Sequence, residues 1–95
     1  MKITARHLRK VPVGALVRVR WPDASAEPTE SGTAEEMVGN HKATIYDTFG
    51  LYLGYNKVDV ILSNDKEVDG EYRGKLNISR RWLMDLQIIL ENPIP

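Results

Sequence analysis

Apolar and polar side chains alternate most regularly over the central stretch Thr48 to Leu62. Leu51, Leu53 and Tyr55 alternate with Tyr52, Gly54 and Asn56, the two-residue period of a strand with unlike faces. After the polar step Asn56-Lys57 the alternation resumes, with Val58, Val60 and Leu62 on one face and Asp59 and Ile61 on the other. Two such runs joined by a short polar turn predict a β-hairpin. Upstream, Val17, Val19 and Trp21 face one way while Leu16, Arg18 and Arg20 face the other, which predicts a half-buried strand over 15–21. Downstream, Leu76 and Ile78 alternate within 75–79, and Met84, Leu86, Ile88 and Leu90 alternate with Asp85, Gln87, Ile89 and Glu91 in a last strand. Between these two, Arg80-Arg81-Trp82-Leu83 breaks the period and reads as one tight turn of 3₁₀ character. Thr4 is placed to cap a short helical segment through Arg9, which Pro12 and Gly14 end.

The pattern lapses from Pro22 to about His41, where Met37 and Val38 are the large apolar residues in a run of Ser, Thr, Gly, Pro and Glu. A connection of about twenty residues without structure is uncommon in a compact domain, so 22–41 is expected to be a mobile acidic loop inserted after the first strand. Within it, Thr33 can cap a single turn, with Glu36 placed to complete a capping box.

The length of 95 residues fits one domain, 1–95, with a single small core lined by Val17, Leu53, Val60, Ile78 and Ile88. The chain has no cysteine, so it has neither a disulfide scaffold nor a thiolate metal site. There is no signal-like apolar run at the start and no window of membrane-spanning length, so a cytoplasmic, soluble protein with no membrane partner is expected. Thirteen basic and thirteen acidic residues cancel, but unevenly. Residues 1–21 carry six bases and no acid, and 22–41 carry five acids and no Lys or Arg. A dedicated nucleic-acid binder is usually basic as a whole domain, and this one is not.

Five short strands, preceded by a short N-terminal helical segment and with a tight turn before the last, predict a mostly β, small SH3-like barrel. The central stretch also resembles the first signature of the Sm and Sm-like proteins: Gly, any, apolar, any, Gly, aromatic, acid, then a turn and a Met-Asn pair. Gly50, Tyr52, Gly54 and Tyr55 fall on that pattern, with Asn56 at the acid and Val58-Asp59 at the Met-Asn pair. Ile78, Leu83 and Leu86 keep the apolar spacing of the second signature, with Ser79-Arg80 in place of its Arg-Gly. The resemblance covers about residues 13–90. It implies a five-stranded Sm-like barrel, assembly of copies through strand edges, and single-stranded RNA binding at the turns. The positions that differ are those that hold RNA bases in that family, and Asp59 brings a negative charge where phosphates would lie.

Candidate chemistry is sparse. Arg18 and Arg20, with Tyr52 and Tyr55 beside them and Arg80-Arg81 in the tight turn, form a candidate surface for single-stranded RNA or DNA through phosphate contacts and base stacking. The competing reading of the arginines is the solvated face of a strand, and of the tyrosines, packing of the barrel. Leu16, Ile61 and Ile89 on outward positions, with Trp82 at the turn, form a candidate apolar surface for a protein partner or a second copy. His7 and His41 lack the convergent ligands of a metal site, and no serine sits in a nucleophile-elbow context. The expectation is therefore a non-enzymatic interaction module without metal or cofactor, self-associating or part of a larger assembly, with nucleic-acid binding as the alternative.

Overall fold

The computed structural model describes residues 3–23, 30–39, 41 and 44–91. Among these residues two short helices, α1 (Ala5–Arg9) and α2 (Ala34–Gly39), accompany seven strands. These are β1 (Leu16–Asp23), β2 (Thr44–Tyr55), β3 (Asp59–Ser63), β4 (Asp65–Lys66), β5 (Tyr72–Arg73), β6 (Leu76–Ser79) and β7 (Asp85–Leu90), with a 3₁₀ turn at Arg80–Trp82 before β7. Five strands form one antiparallel sheet in the order β6-β3-β2-β1-β7, and β4 and β5 make a separate small hairpin.

The predicted elements recur, with the first strand extended. β1 runs on through Pro22 and Asp23, because both continue the ladder opposite Ile45 and Thr44. The acidic segment expected to begin at Pro22 therefore starts later. Its stretch 24–29 lies outside the described residues. Its second half holds α2, where the Glu36 amide donates to Thr33 Oγ1 (3.1 Å), whose hydroxyl donates to the Glu36 carboxylate (3.1 Å). The amide bond is one half of the predicted capping box; the Glu36 carboxylate returns to the Thr33 hydroxyl rather than to its backbone amide.

The core packs Val17 and Val19 of β1 against Tyr52, Val60, Leu62, Ile78 and Leu83, with Ile3, Leu8 and Val11 of the N-terminal segment. One expected core position moved. Val17 pairs with Gly50 and Leu16 with Leu51, so Gly50 and Tyr52 share the inward face of Val17 while Leu51 shares the outward face of Leu16. Tyr52 is 2% exposed, whereas Leu53 is half-buried at a β-bulge between Tyr52 and Gly54. The Tyr52 hydroxyl donates to the Leu8 carbonyl (3.0 Å), which satisfies its polar tip and ties α1 to the sheet. Ile88 also differs from expectation: it pairs with Val17 but remains partly exposed near the margin of β7.

The sheet is strongly coiled. In a flat sheet with this register, Ser79 and Asp85 would lie about 32 Å apart, from four strand spacings and about eight residues of offset. The six residue steps between them reach at most about 21 Å fully extended, and they include a 3₁₀ turn. Bending therefore falls on β2. A Cβ at Gly50 would sit 3.1 Å from Leu62 Cβ and the Ser63 carbonyl, and Gly54 at the bulge has φ +147°. The sheet nonetheless stays open: among the described residues no ladder joins β6 to β7. The link is held instead across the sheet end, by Arg80 N–H to the Val58 carbonyl (2.8 Å) and Met84 N–H to the Arg20 carbonyl (2.9 Å).

Candidate interaction edges and basic end

Alternation along β1 places Arg18 and Arg20 on its outward face, where the ladders bring β2 and β7 alongside. Arg18 donates to Asp85 (2.6 Å), Asp47 (2.9 Å) and the Gln87 amide oxygen (3.2 Å). Arg20 donates twice to Asp47, at 2.9 and 3.0 Å. The Arg18 side chain is only 14% exposed. The hydrogen bond from Arg20 holds the Asp47 carboxyl below its ordinary range; burial opposes it, and the hydrogen bond and charge of Arg18 add to the lowering. These two arginines, expected to track a phosphate backbone, are engaged by carboxylates from the neighbouring strands. An incoming phosphate would have to displace Asp47 or Asp85.

Two strands at the sheet limits each use one edge. β6 pairs only with β3, and β7 only with β1, among the described residues. The end of β7 is apolar and exposed at Ile88, Ile89 and Leu90, and Leu76 is partly exposed on β6. A register shift of β7 against β1 falls here, leaving Leu90 opposite Leu16. Leu16 and Ile89 are thus brought to one end of the β1–β7 pair. Ile61 lies two strands away, opposite Gly54 and Asn77, and Trp82 stands apart on the linking turn, 47% exposed. The expected apolar surface is therefore split into an edge, a face and a corner rather than one patch.

The tips of the β2–β3 and β6–β7 connections form a third feature. The Asn56 side chain accepts from the amides of Val58 (2.8 Å) and Asp59 (2.7 Å), which fixes the tight turn. Arg80 donates to the Asn56 carbonyl (2.7 Å) and lies over the Tyr55 ring at 5.3 Å. Lys57, Arg80 and Arg81 with Ile3 line an open depression of about 240 Å³. Tyr55, Arg80 and Arg81 of the sequence-predicted set meet here. Tyr52 does not, because its ring is in the core and presents no face to a base. Lys57 and Ile3 were not legible as site residues. Lys57 is an ordinary turn residue until the fold carries the second tip and the N-terminal segment against it.

The remaining features are bland. A larger open depression of about 470 Å³ at the β4–β5 hairpin has its charges matched, with Arg73 donating to Asp65 (2.6 Å) and Lys66 over the Tyr72 ring at 5.6 Å. His7 Nδ1 accepts from the Thr4 amide (3.1 Å), so that imidazole caps α1. No group of potential metal ligands gathers among the described residues, and no helix among them is long and apolar enough to cross a membrane. No protein-family model, no curated protein and no solved structure matches the chain.

Proposed function

We propose that this chain is a non-enzymatic, SH3-like or Sm-like small barrel module that associates with copies of itself, or with a similar subunit, through the open edges of β6 and β7. The observation that carries this reading is the pair of unpaired edges at the two ends of one coiled sheet, the longer of which exposes Ile88, Ile89 and Leu90. Unpaired strand edges take up neighbouring strands by main-chain hydrogen bonds, and exposed apolar residues there add to the gain. Because the two edges differ, the contact is head-to-tail, and it closes into a ring or continues as a filament depending on the rotation per copy. The strand order and the 3₁₀ link between the last two sheet strands support the barrel class. Light scattering across concentration tests the association. Oligomers are expected, with Ile89→Lys shifting them toward monomer at unchanged circular dichroism, and a strict monomer at the highest soluble concentration overturns the reading.

A second reading, single-stranded nucleic-acid binding, is favoured by the Tyr55–Arg80 stack beside Lys57 and Arg81. On this reading the contact lies at the turn tips, away from Arg18 and Arg20. Titration with labelled single-stranded RNA and DNA is its test. Binding that weakens steeply with salt, with the slope falling by about one for Arg81→Ala, supports it; no binding at low salt removes it.

A further inference from the structure

The fold keeps the acidic and basic parts of this chain at opposite ends. Five residue steps tether α2 to the start of β2, which is at most about 17 Å of extended chain. The basic depression lies beyond the other end of β2, about 36 Å away along a straight strand and roughly 30 Å once the bulge bend is allowed for. The molecule is 55 Å along its longest axis, in keeping with that separation. The tether alone falls short of that distance, and among the described residues Glu35 and Glu36 form no ion pair with Lys57 or Arg81 of their own copy.

Among the described residues, neither set enters an ion pair. The four ion pairs among the described residues use Arg18, Arg20 and Arg73 with Asp47, Asp85 and Asp65. Lys57, Arg80 and Arg81 enter none of them, and neither do Glu35 and Glu36. Apolar groups accompany both sets. α2 buries no residue and exposes Val38 at 77% and Met37 at 39%, while Val58, next to Lys57, is 64% exposed. A six-residue helix that buries none of its residues in its own copy has little intrinsic stability and gains by docking.

We propose that α2 of one copy docks on the basic end of a second copy, with Glu35 and Glu36 against Lys57 and Arg81, and Met37 and Val38 against Val58. This rests on the reading of the chain as a self-associating module but uses a surface separate from the β6 and β7 edges. The contact is head-to-tail, since the acidic end of each copy leaves its basic end free for another. Exposed ion pairs are individually weak, so the contact is fast, weak and strongly dependent on salt.

The test is a charge exchange on the full chain, followed by sedimentation at about 10 mM and about 1 M salt, where the screening length falls from roughly 30 to 3 Å. The E35K/E36K and K57E/R81E variants are used, and Arg80, which braces the turn, is left intact. Each variant alone is expected to lose the salt-sensitive association by about tenfold or more in dissociation constant, and the equimolar mixture is expected to regain it. Circular dichroism of both variants checks that they fold. Association unaffected by either variant, or a mixture of folded variants that regains nothing, overturns the proposal. Loss of association in Ile89→Lys alone, with both charge variants unchanged, sinks this contact and leaves edge pairing standing. The reverse pattern sinks edge pairing and leaves this contact.

Discussion

Replacing Tyr52 by Phe should reverse its effect on stability as the pH rises. At neutral pH the change removes the hydroxyl that donates to the Leu8 carbonyl, while the ring that fills the core stays. The Leu8 carbonyl keeps the Val11 amide at 3.2 Å, so the loss is that of one ordinary hydrogen bond, about 1 kcal/mol. In alkali the sign turns. Burial, with a smaller contribution from Tyr55, pushes the Tyr52 phenol up to about 12, from its ordinary value of about 10. The unfolded chain loses this proton first and so binds fewer protons than the native chain, and native stability falls as pH rises. The contribution is fully present below about pH 10 and is lost through about pH 12, costing about 1.4 kcal/mol at pH 11 and about 2 kcal/mol by pH 12. The Phe variant has no phenol to ionise. It should start about 1 kcal/mol less stable than the parent, draw level near pH 11, and be the more stable of the two beyond it. Urea unfolding at a series of pH values, followed by the fluorescence of Trp21 and Trp82, measures this directly. If the two stability curves remain parallel from pH 8 to about 12, the buried Tyr52–Leu8 bond is not the feature described.

Two further outcomes follow from the core and the outward face. Ile78→Ala empties a position 2% exposed between β3 and the end of the core, and should cost about 3 kcal/mol in urea unfolding, against well under 1 kcal/mol for Leu76→Ala on the same strand, which is 37% exposed. Asp47, held below the ordinary carboxyl range by Arg20 and Arg18, contributes stability that is present above its unfolded value and lost as pH falls through its folded one. Asp47→Asn should therefore lower stability at neutral pH and flatten the acid limb of the stability curve below about pH 4, and an unchanged acid limb would refute the role given to the Arg18–Asp47–Arg20 cluster.

Much of this molecule is written in short-range pattern. The alternation of Val17 and Val19 with Arg18 and Arg20 fixes β1 and its faces. Val60 and Leu62 do the same for β3, Thr4 and Thr33 mark the helix starts, and the break at Arg80–Trp82 marks the turn. These are local decisions, set by side-chain period and capping chemistry within a few residues. What needed the tertiary structure was everything that depends on register. The pairing of Val17 with Gly50 put Tyr52 rather than Leu53 inside, and no period could choose between two adjacent large residues across a bulge. The same ladders set Asp47 and Asp85 against Arg18 and Arg20, turning a candidate phosphate track into a closed set of ion pairs, although the partners lie 27 to 67 positions away in sequence. The basic end came together because the β3–β6 ladder sets Asp59 opposite Ser79, which brings Arg80 and Arg81 to the turn that holds Lys57. Side-chain period is a property of neighbours in the chain, whereas register and curvature are properties of strands that meet from afar, and on this protein the sites belong to the second kind.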